Sequence, residues 1–165
     1  MNISIDDIKP FKYLGKTPKS DWYNWLSPMA KKVGDEYGIP WQAIMVQTAL
    51  ETGWGKSSLL RKYNNFGGIK STKGQNSIEL KTKEFVNGQW IEIKDGFATW
   101  ETPYKGLVGY AQFFHKNKRY KNALKYPNDP YQFIVEIKKV GYATDPDYVS
   151  KLHRMLENDL KINRA

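Results

Sequence analysis

The chain has 165 residues, a formal charge of +9, 15% aromatic residues and no cysteine. That length suits one domain with a sizeable core, and the missing cysteines exclude disulfides and thiolate–metal sites. The positive charge calls for an anionic partner, with nucleic acid, acidic membrane surfaces and anionic wall polymers all eligible, and exposed aromatics would suit stacking on bases or sugar rings.

In chain order, residues 1–19 read as an irregular arm and residues 20–165 as a single domain. The start, Met1 to Pro10, lacks the basic opening and long apolar run of a secretory signal, and no stretch suits a bilayer span. A protein made in the cytoplasm, uncleaved and not inserted in a membrane, is expected. Ser20 is placed to cap a turn carrying Trp22, Trp25 and Leu26, Ser27-Pro28 to restart the helix, and Met29, Ala30, Val33 and Tyr37 extend an apolar stripe to Gly38. A second helix, begun by Pro40, runs through Ala43, Ile44, Val46, Ala49 and Leu50, with Glu51 its only acid and Gly53 suited to the left-handed residue that closes it. Glu51 therefore falls in the last turn, where the carbonyl end of the helix disfavours its ionised form by roughly 0.3–1 kcal/mol. That is less than about one pKa unit, so a proton kept near neutral pH also requires desolvation, for which Trp54 and a closing hairpin are the expected sources.

After the site, Ser57 can cap a short helix through Leu59 and Leu60, and Asn64-Asn65-Phe66-Gly67-Gly68 reads as a loop. From Ile78 to Trp100 the period becomes two, and Asn87-Gly88 signals a type I′ hairpin. A two-residue turn pairs Val86 with Gln89, Phe85 with Trp90, Glu84 with Ile91, Lys83 with Glu92 and Thr82 with Ile93. Glu84 then shares a face with Leu80, Val86, Ile91 and Ile93, while Lys83 and Glu92 form a solvated pair on the other. If the first face is the inner one, Glu84 is a second carboxylate in a partly apolar setting; the alternative is an ordinary exposed glutamate on a frayed hairpin. Three more helices are predicted from the caps Thr102-Pro103, Asp129-Pro130 and Asp145-Pro146. Their core faces are Leu107, Val108, Ala111 and Phe114; Phe133, Ile134, Ile137 and Val140; and Val149, Leu152, Met155 and Leu156. Between the last two, Gly141 to Asp145 forms a short loop that could hold Tyr142 over a cleft.

Several chemistries are excluded. Gly55-Lys56-Ser57 resembles the end of a phosphate-binding loop, but Leu50 stands where the motif needs its first glycine, and a helix precedes it instead of a strand. His115 and His153 have no metal-ligand spacing and read as structural, so neither a metal nor a cofactor is expected. There is no nucleophile elbow and no cysteine nucleophile. What remains is a pair of glutamates, Glu51 and Glu84, on separate elements among aromatics, with Glu79, Glu92 and Glu101 as competing acids; such a pair is the equipment of glycoside hydrolysis, one neutral acid for the leaving oxygen and one anionic group opposite.

Leu50-Glu51-Thr52-Gly53-Trp54-Gly55-Lys56-Ser57, Asn64-Asn65-Phe66-Gly67-Gly68-Ile69-Lys70, Thr82-Lys83-Glu84 with Asn87-Gly88, and Gly141-Tyr142-Ala143-Thr144-Asp145-Pro146-Asp147-Tyr148 together resemble glycoside hydrolase family 73. These are peptidoglycan-cleaving N-acetylglucosaminidases of autolysins, flagellar muramidase domains and phage lysins. The resemblance runs in order from about Trp22 to Leu156 and implies a lysozyme-like α+β fold, with a mainly helical lobe, a small β-hairpin lobe over about residues 69–100, and a cleft between them. It implies Glu51 as general acid, Glu84 as second carboxylate and Tyr142 as a tyrosine that steadies substrate. Trp54, Asn65, Phe66 and Tyr148 lie in matching motifs as substrate-binding candidates, with Phe66 and Tyr148 equally suited to the core. Two departures stand out: the loop reads Asn-Asn-Phe-Gly-Gly-Ile-Lys against the family's usual Asn-Asn-Leu-Phe-Gly-Ile-Lys, which shifts Phe66, and Thr52 follows Glu51 where Ser is commoner.

The expected activity is hydrolysis of the β-1,4 bond between N-acetylglucosamine and N-acetylmuramic acid, by a monomer acting on peptidoglycan strands of the bacterial wall, with no nucleic-acid partner. Either Glu84 activates water, or the substrate's acetamido oxygen attacks the anomeric carbon with Tyr142 assisting. A bare catalytic domain without an export signal points to a phage lysin or virion-carried enzyme. The rivals are an N-acetylmuramidase or lytic transglycosylase on the same polymer, the latter lacking its common Gly-Leu-Met-Gln motif here, and a non-catalytic basic module that binds glycan or nucleic acid.

Overall fold

A computed structural model describes residues 4–162, with the side chains of Glu84 and Phe85 outside the described residues. The chain folds into six α-helices and one hairpin: α1 (Lys19–Tyr37), α2 (Trp41–Thr52), α3 (Ser58–Tyr63), β1 (Ser77–Val86), β2 (Gln89–Ala98), α4 (Pro103–Lys116), α5 (Pro130–Lys139) and α6 (Tyr148–Asn158). Single 3-10 turns sit at Ile5–Asp7, Lys118–Tyr120 and Ala123–Lys125. α2 is the hub. It has almost no polar face, with Ala43, Ile44, Met45, Val46 and Ala49 all buried, because α1, α5 and α6 pack around it.

α1 departs from expectation at Pro28, which was expected to restart the helix but lies inside one continuous helix. A proline there leaves the carbonyl four residues earlier without its helical donor, and that residue, Asn24, is exposed, which keeps the cost of the missing bond low. The arm is held against α1: the Trp25 indole donates to the Lys9 carbonyl at 2.9 Å, and Phe11 meets Trp22 edge-on at 5.3 Å.

α4 and α5 begin as their caps predict. Thr102 Oγ1 accepts from the Lys105 N–H and Asp129 Oδ1 from the Gln132 N–H, each at 3.1 Å. α6 starts later than expected, because Asp145 uses Oδ1 to accept from the Asp147 N–H at 2.9 Å and Oδ2 to receive Lys151 Nζ at 2.6 Å. That closed turn delays the helix to Tyr148. Two glycines bring α4 close to its neighbours: a Cβ on Gly106 would overlap the Asn64 backbone, and one on Gly109 the Trp100 ring.

The hairpin has the register predicted, Val86 with Gln89 through Thr82 with Ile93 and on to Ser77 with Ala98. Asn87 and Gly88, at φ 50° and 78°, both take the left-handed conformation that a type I′ turn demands. One face, with Ile78, Leu80, Thr82, Ile93 and Asp95, is half-buried; the other, with Lys81, Lys83, Glu92 and Lys94, is exposed. Glu92 pairs with Lys81 at 3.4 Å, and not with Lys83 directly opposite as expected. The strand twist brings the diagonal neighbour's long side chain within reach.

Candidate active site

Glu51 owes its position to the end of α2. Gly53 closes the helix at φ 62°, and the Trp54 N–H donates to the Ala49 carbonyl at 2.8 Å, the bond that reverses the chain after a helix. Thr52 fixes the next turn, donating to the Thr48 carbonyl at 2.7 Å and accepting from the Gly55 N–H at 3.1 Å. Glu51, in the last turn, is thereby presented to a groove of about 630 Å³ between the helical body and the base of the hairpin.

Three strips wall this groove: Gly67 to Lys70 from the loop before the hairpin, Tyr110, Phe113 and Lys116 from α4, and Tyr120 and Tyr142 from the segments that follow. Among the described side chains lining it, Glu51 is the one acid. Its carboxyl remains open to solvent at the groove surface, yet the protein crowded around it desolvates the charged form and raises its pKa above the ordinary value, with no charged partner among the described side chains offsetting this. Partial crowding, not full enclosure, is the cause.

The structure brings Glu51 and Tyr142 to the same groove. The Tyr142 ring stacks on Phe114 at 5.5 Å and meets Tyr148 at 5.9 Å. Burial first, then the neighbouring Tyr110, Tyr148 and Glu51, push its hydroxyl well above the usual tyrosine range, so it is a neutral donor at any working pH. For Glu84, the backbone lies opposite Ile91 on the face that is half-buried nearer the base, while its side chain lies outside the described residues.

The four expected sugar contacts do not line the groove, and each has a packing role. The Trp54 indole donates to Tyr23 Oη at 3.1 Å, Tyr23 donates to Asp159 Oδ2 at 2.6 Å, and Lys19 Nζ lies 4.2 Å from the ring centroid, so Trp54 turns toward α1 and α6. Asn65 is buried with its hydrogen-bonding capacity spent on backbone: Nδ2 donates to the Ile69 and Ala98 carbonyls, both at 2.9 Å, and Oδ1 accepts from the Ile69 N–H at 3.0 Å. Phe66 is fully buried and stacks on Trp25 at 6.0 Å. Tyr148 is buried and its hydroxyl accepts from Gln47 Nε2 at 3.1 Å.

The α4 wall was not foreseen as a site. Tyr110 falls three residues after Leu107 and four before Phe114, so the helical period reads it as core, which it also is. Lys116 and Asn117 at the end of α4, and Lys70 at the hairpin base, add polar and cationic groups to the rim.

The family model described as glucosaminidase, mannosyl-glycoprotein endo-beta-N-acetylglucosaminidase, matches residues 27–160. Peptidoglycan hydrolase FlgJ of Salmonella typhimurium is 32% identical over 163 residues, covering 88% of this chain and 51% of its own length. Exo-glucosaminidase LytG of Bacillus subtilis is 28% identical over 158 residues, covering 90% of this chain and 56% of its own length. The solved glycoside hydrolase domain of Salmonella FlgJ, C-terminally truncated, matches with a TM-score of 0.72 at 30% identity, over 88% of this chain and all of that one, 100%. The catalytic domain of the autolysin Auto from Listeria monocytogenes matches with a TM-score of 0.76 at 27% identity, over 87% of this chain and 86% of that one. The chain spans a third to a half of the length of two curated FlgJ relatives, 33% in Pseudomonas aeruginosa and 51% in Salmonella.

Proposed function

The chain belongs to the glucosaminidase family, glycoside hydrolase family 73, with its lysozyme-like α+β fold, and on that premise we propose that it hydrolyses the β-1,4 bond between N-acetylglucosamine and N-acetylmuramic acid in peptidoglycan. We take the catalytic domain to begin at about residue 20, at the start of α1, and its β-lobe to span about residues 69–100. The observation that carries the reading is Glu51: the one acid among the described side chains of the groove, on the rigid end of α2, with its pKa raised by desolvation. A carboxyl whose pKa is raised holds its proton to higher pH, which at a sugar-sized groove suits a general acid for a leaving oxygen.

In the proposed reaction Glu51 gives its proton to the glycosidic oxygen as the bond from that oxygen to the anomeric carbon breaks. Water then adds to the anomeric carbon. Its proton goes to Glu84 in the direct route; in the other, the acetamido oxygen first closes on the anomeric carbon, and water reopens that ring as its proton returns to the Glu51 carboxylate. Tyr142, a neutral donor beside Glu51, serves either route by holding the sugar's polar groups. The named relatives are bacterial proteins, so the phage-lysin expectation rests on the sequence alone.

The test is mass spectrometry of walls digested by the wild type and by Glu51→Gln. A new reducing N-acetylglucosamine end that the variant produces at least about 100-fold more slowly supports the assignment. A reducing muramic end means a muramidase, an anhydro end a transglycosylase, and wild-type clearing by Glu51→Gln removes Glu51 from the chemistry.

A further inference from the structure

Among the described residues, four buried side-chain polar atoms lack a hydrogen-bond partner, and two of them, Gln47 Oε1 and Tyr110 Oη, belong to residues beside Glu51. Gln47 lies one helical turn before Glu51 on the same face of α2, is fully buried, and is fixed by its bond to Tyr148. Tyr110 comes from α4 across the groove, is 1% exposed, and lines the same cavity as Glu51. A buried hydroxyl without a partner works against folding, and phenylalanine would fill the same space without that cost. Among the described residues, the hydroxyl therefore has no protein partner in the resting fold.

Resting on the reading of Glu51 as the acid, we propose that Tyr110 is a positioning residue whose O–H is held ready to donate to the carboxylate that Glu51 becomes once its proton has left. Before transfer the neutral carboxyl makes little demand on a donor. As the Glu51 O–H bond breaks and the new O–H bond forms on the leaving oxygen, negative charge appears on Glu51. Tyr110 then donates to the carboxylate's inner oxygen, directly or through one water, after a small rotation of the solvent-open Glu51 side chain. Tyr110 keeps its own proton, since burial, then Tyr148 and Glu51, hold its pKa well above the usual range. A fixed donor aimed where charge develops lowers the barrier and needs no reorganisation of its own. Among the described residues, the other titratable side chains of this groove are Lys70 at the hairpin base, Lys116 on α4, and Tyr120 and Tyr142 before α6, and Tyr148 on α6 also feels the Glu51 charge.

Tyr110→Phe tests this in the resting protein and in turnover. A donor to the charged form lowers a carboxyl pKa, so its removal should raise the Glu51 pKa, read by NMR titration of carbon-13-labelled glutamate, by about half a unit or more. On walls, kcat should fall about tenfold or more with KM little changed, and the thermal midpoint should hold or rise. Tyr104→Phe, on the same helix but bonded to Glu36 at 3.2 Å, should leave the Glu51 pKa unchanged. An unshifted or lowered Glu51 pKa in Tyr110→Phe overturns the proposal, as does an equal shift in Tyr104→Phe, or a Tyr110→Phe chain that fails to fold and so shows the hydroxyl to be structural. If the wild type cleaves no wall at all, the assignment of Glu51 as acid fails instead, while the NMR comparison still reports on the Tyr110 contact.

Discussion

At the scale of single residues, Glu51 is where the proposed role as acid and the stability of the fold conflict. Folding raises its pKa, because the groove penalises the charged form at the end of a helix whose dipole also disfavours it. The native state then binds more protons than the unfolded chain between the unfolded pKa and the folded one, so stability is lost as pH rises through that window. Above it, wild-type protein carries a charge it would fold better without. Glu51→Gln should therefore unfold at a higher temperature than wild type at pH 7, and the gap should close when both are measured below the unfolded glutamate pKa, about 4. Because the carboxyl is open to solvent, screening keeps the gain under about 4 °C. A variant less stable than wild type at pH 7, measured by calorimetry across pH, would contradict the account. The same raised pKa moves the basic limb of the activity profile above that of an ordinary glutamate, since the acid form persists to higher pH.

At the scale of elements, the groove depends on how the hairpin base is tied to the helical body. Asn65 makes most of that tie, closing the Ile69 and Ala98 backbone around one amide. The Ile69 carbonyl also accepts from the Ala98 N–H at 3.0 Å, and Asn64 Nδ2 donates to the Trp100 carbonyl at 2.8 Å. Asn65→Ala leaves buried backbone groups without partners, and should cost on the order of 1–3 kcal/mol in urea unfolding and reduce kcat through a loosened Lys70 strip. Wild-type stability in this variant would show that the bonds are replaceable. Asn65 also marks what the sequence can convey. Its motif is readable, but the same residues would result from sugar contact or from an internal tie, and only three-dimensional neighbours separate the two. Local rules, by contrast, located α2, its Gly53 stop, the Asn87-Gly88 register and two of three proline-led caps, because each depends on residues within a few positions of one another. They failed at Pro28, where tolerance depends on Asn24 facing water, and at Asp145, where Lys151 completes the turn from the following helix. The α4 wall was hidden because Tyr110 serves the core and the groove at once, and helical period reports only the first.

At the scale of the molecule, the charge of +9 is spread so that it meets a polymer as a surface. Lys81, Lys83 and Lys94 stand on the exposed face of the hairpin, and Lys70 and Lys116 line the groove. Several of the ion pairs present are between half-exposed or more exposed partners, as with Lys32–Glu36 and Lys81–Glu92. Such pairs stabilise the fold little, and Lys70 itself pairs with Asp95 at 3.4 Å, so the field around the molecule is set by the excess of 26 basic over 17 acidic residues. That field should hold the enzyme on an anionic wall before any sugar enters the groove, and salt should weaken it, since the screening length falls from about 10 Å at 0.1 M to about 3 Å at 1 M. Glu51→Gln, which on the proposed mechanism should bind without cutting, isolates this effect: its sedimentation with purified walls should drop steeply over that range, and more shallowly with walls stripped of their anionic polymers. Retention independent of salt would mean that the groove's own contacts dominate binding. Tight retention on DNA at moderate salt, with an equally steep salt slope, would turn the charge toward nucleic acid instead.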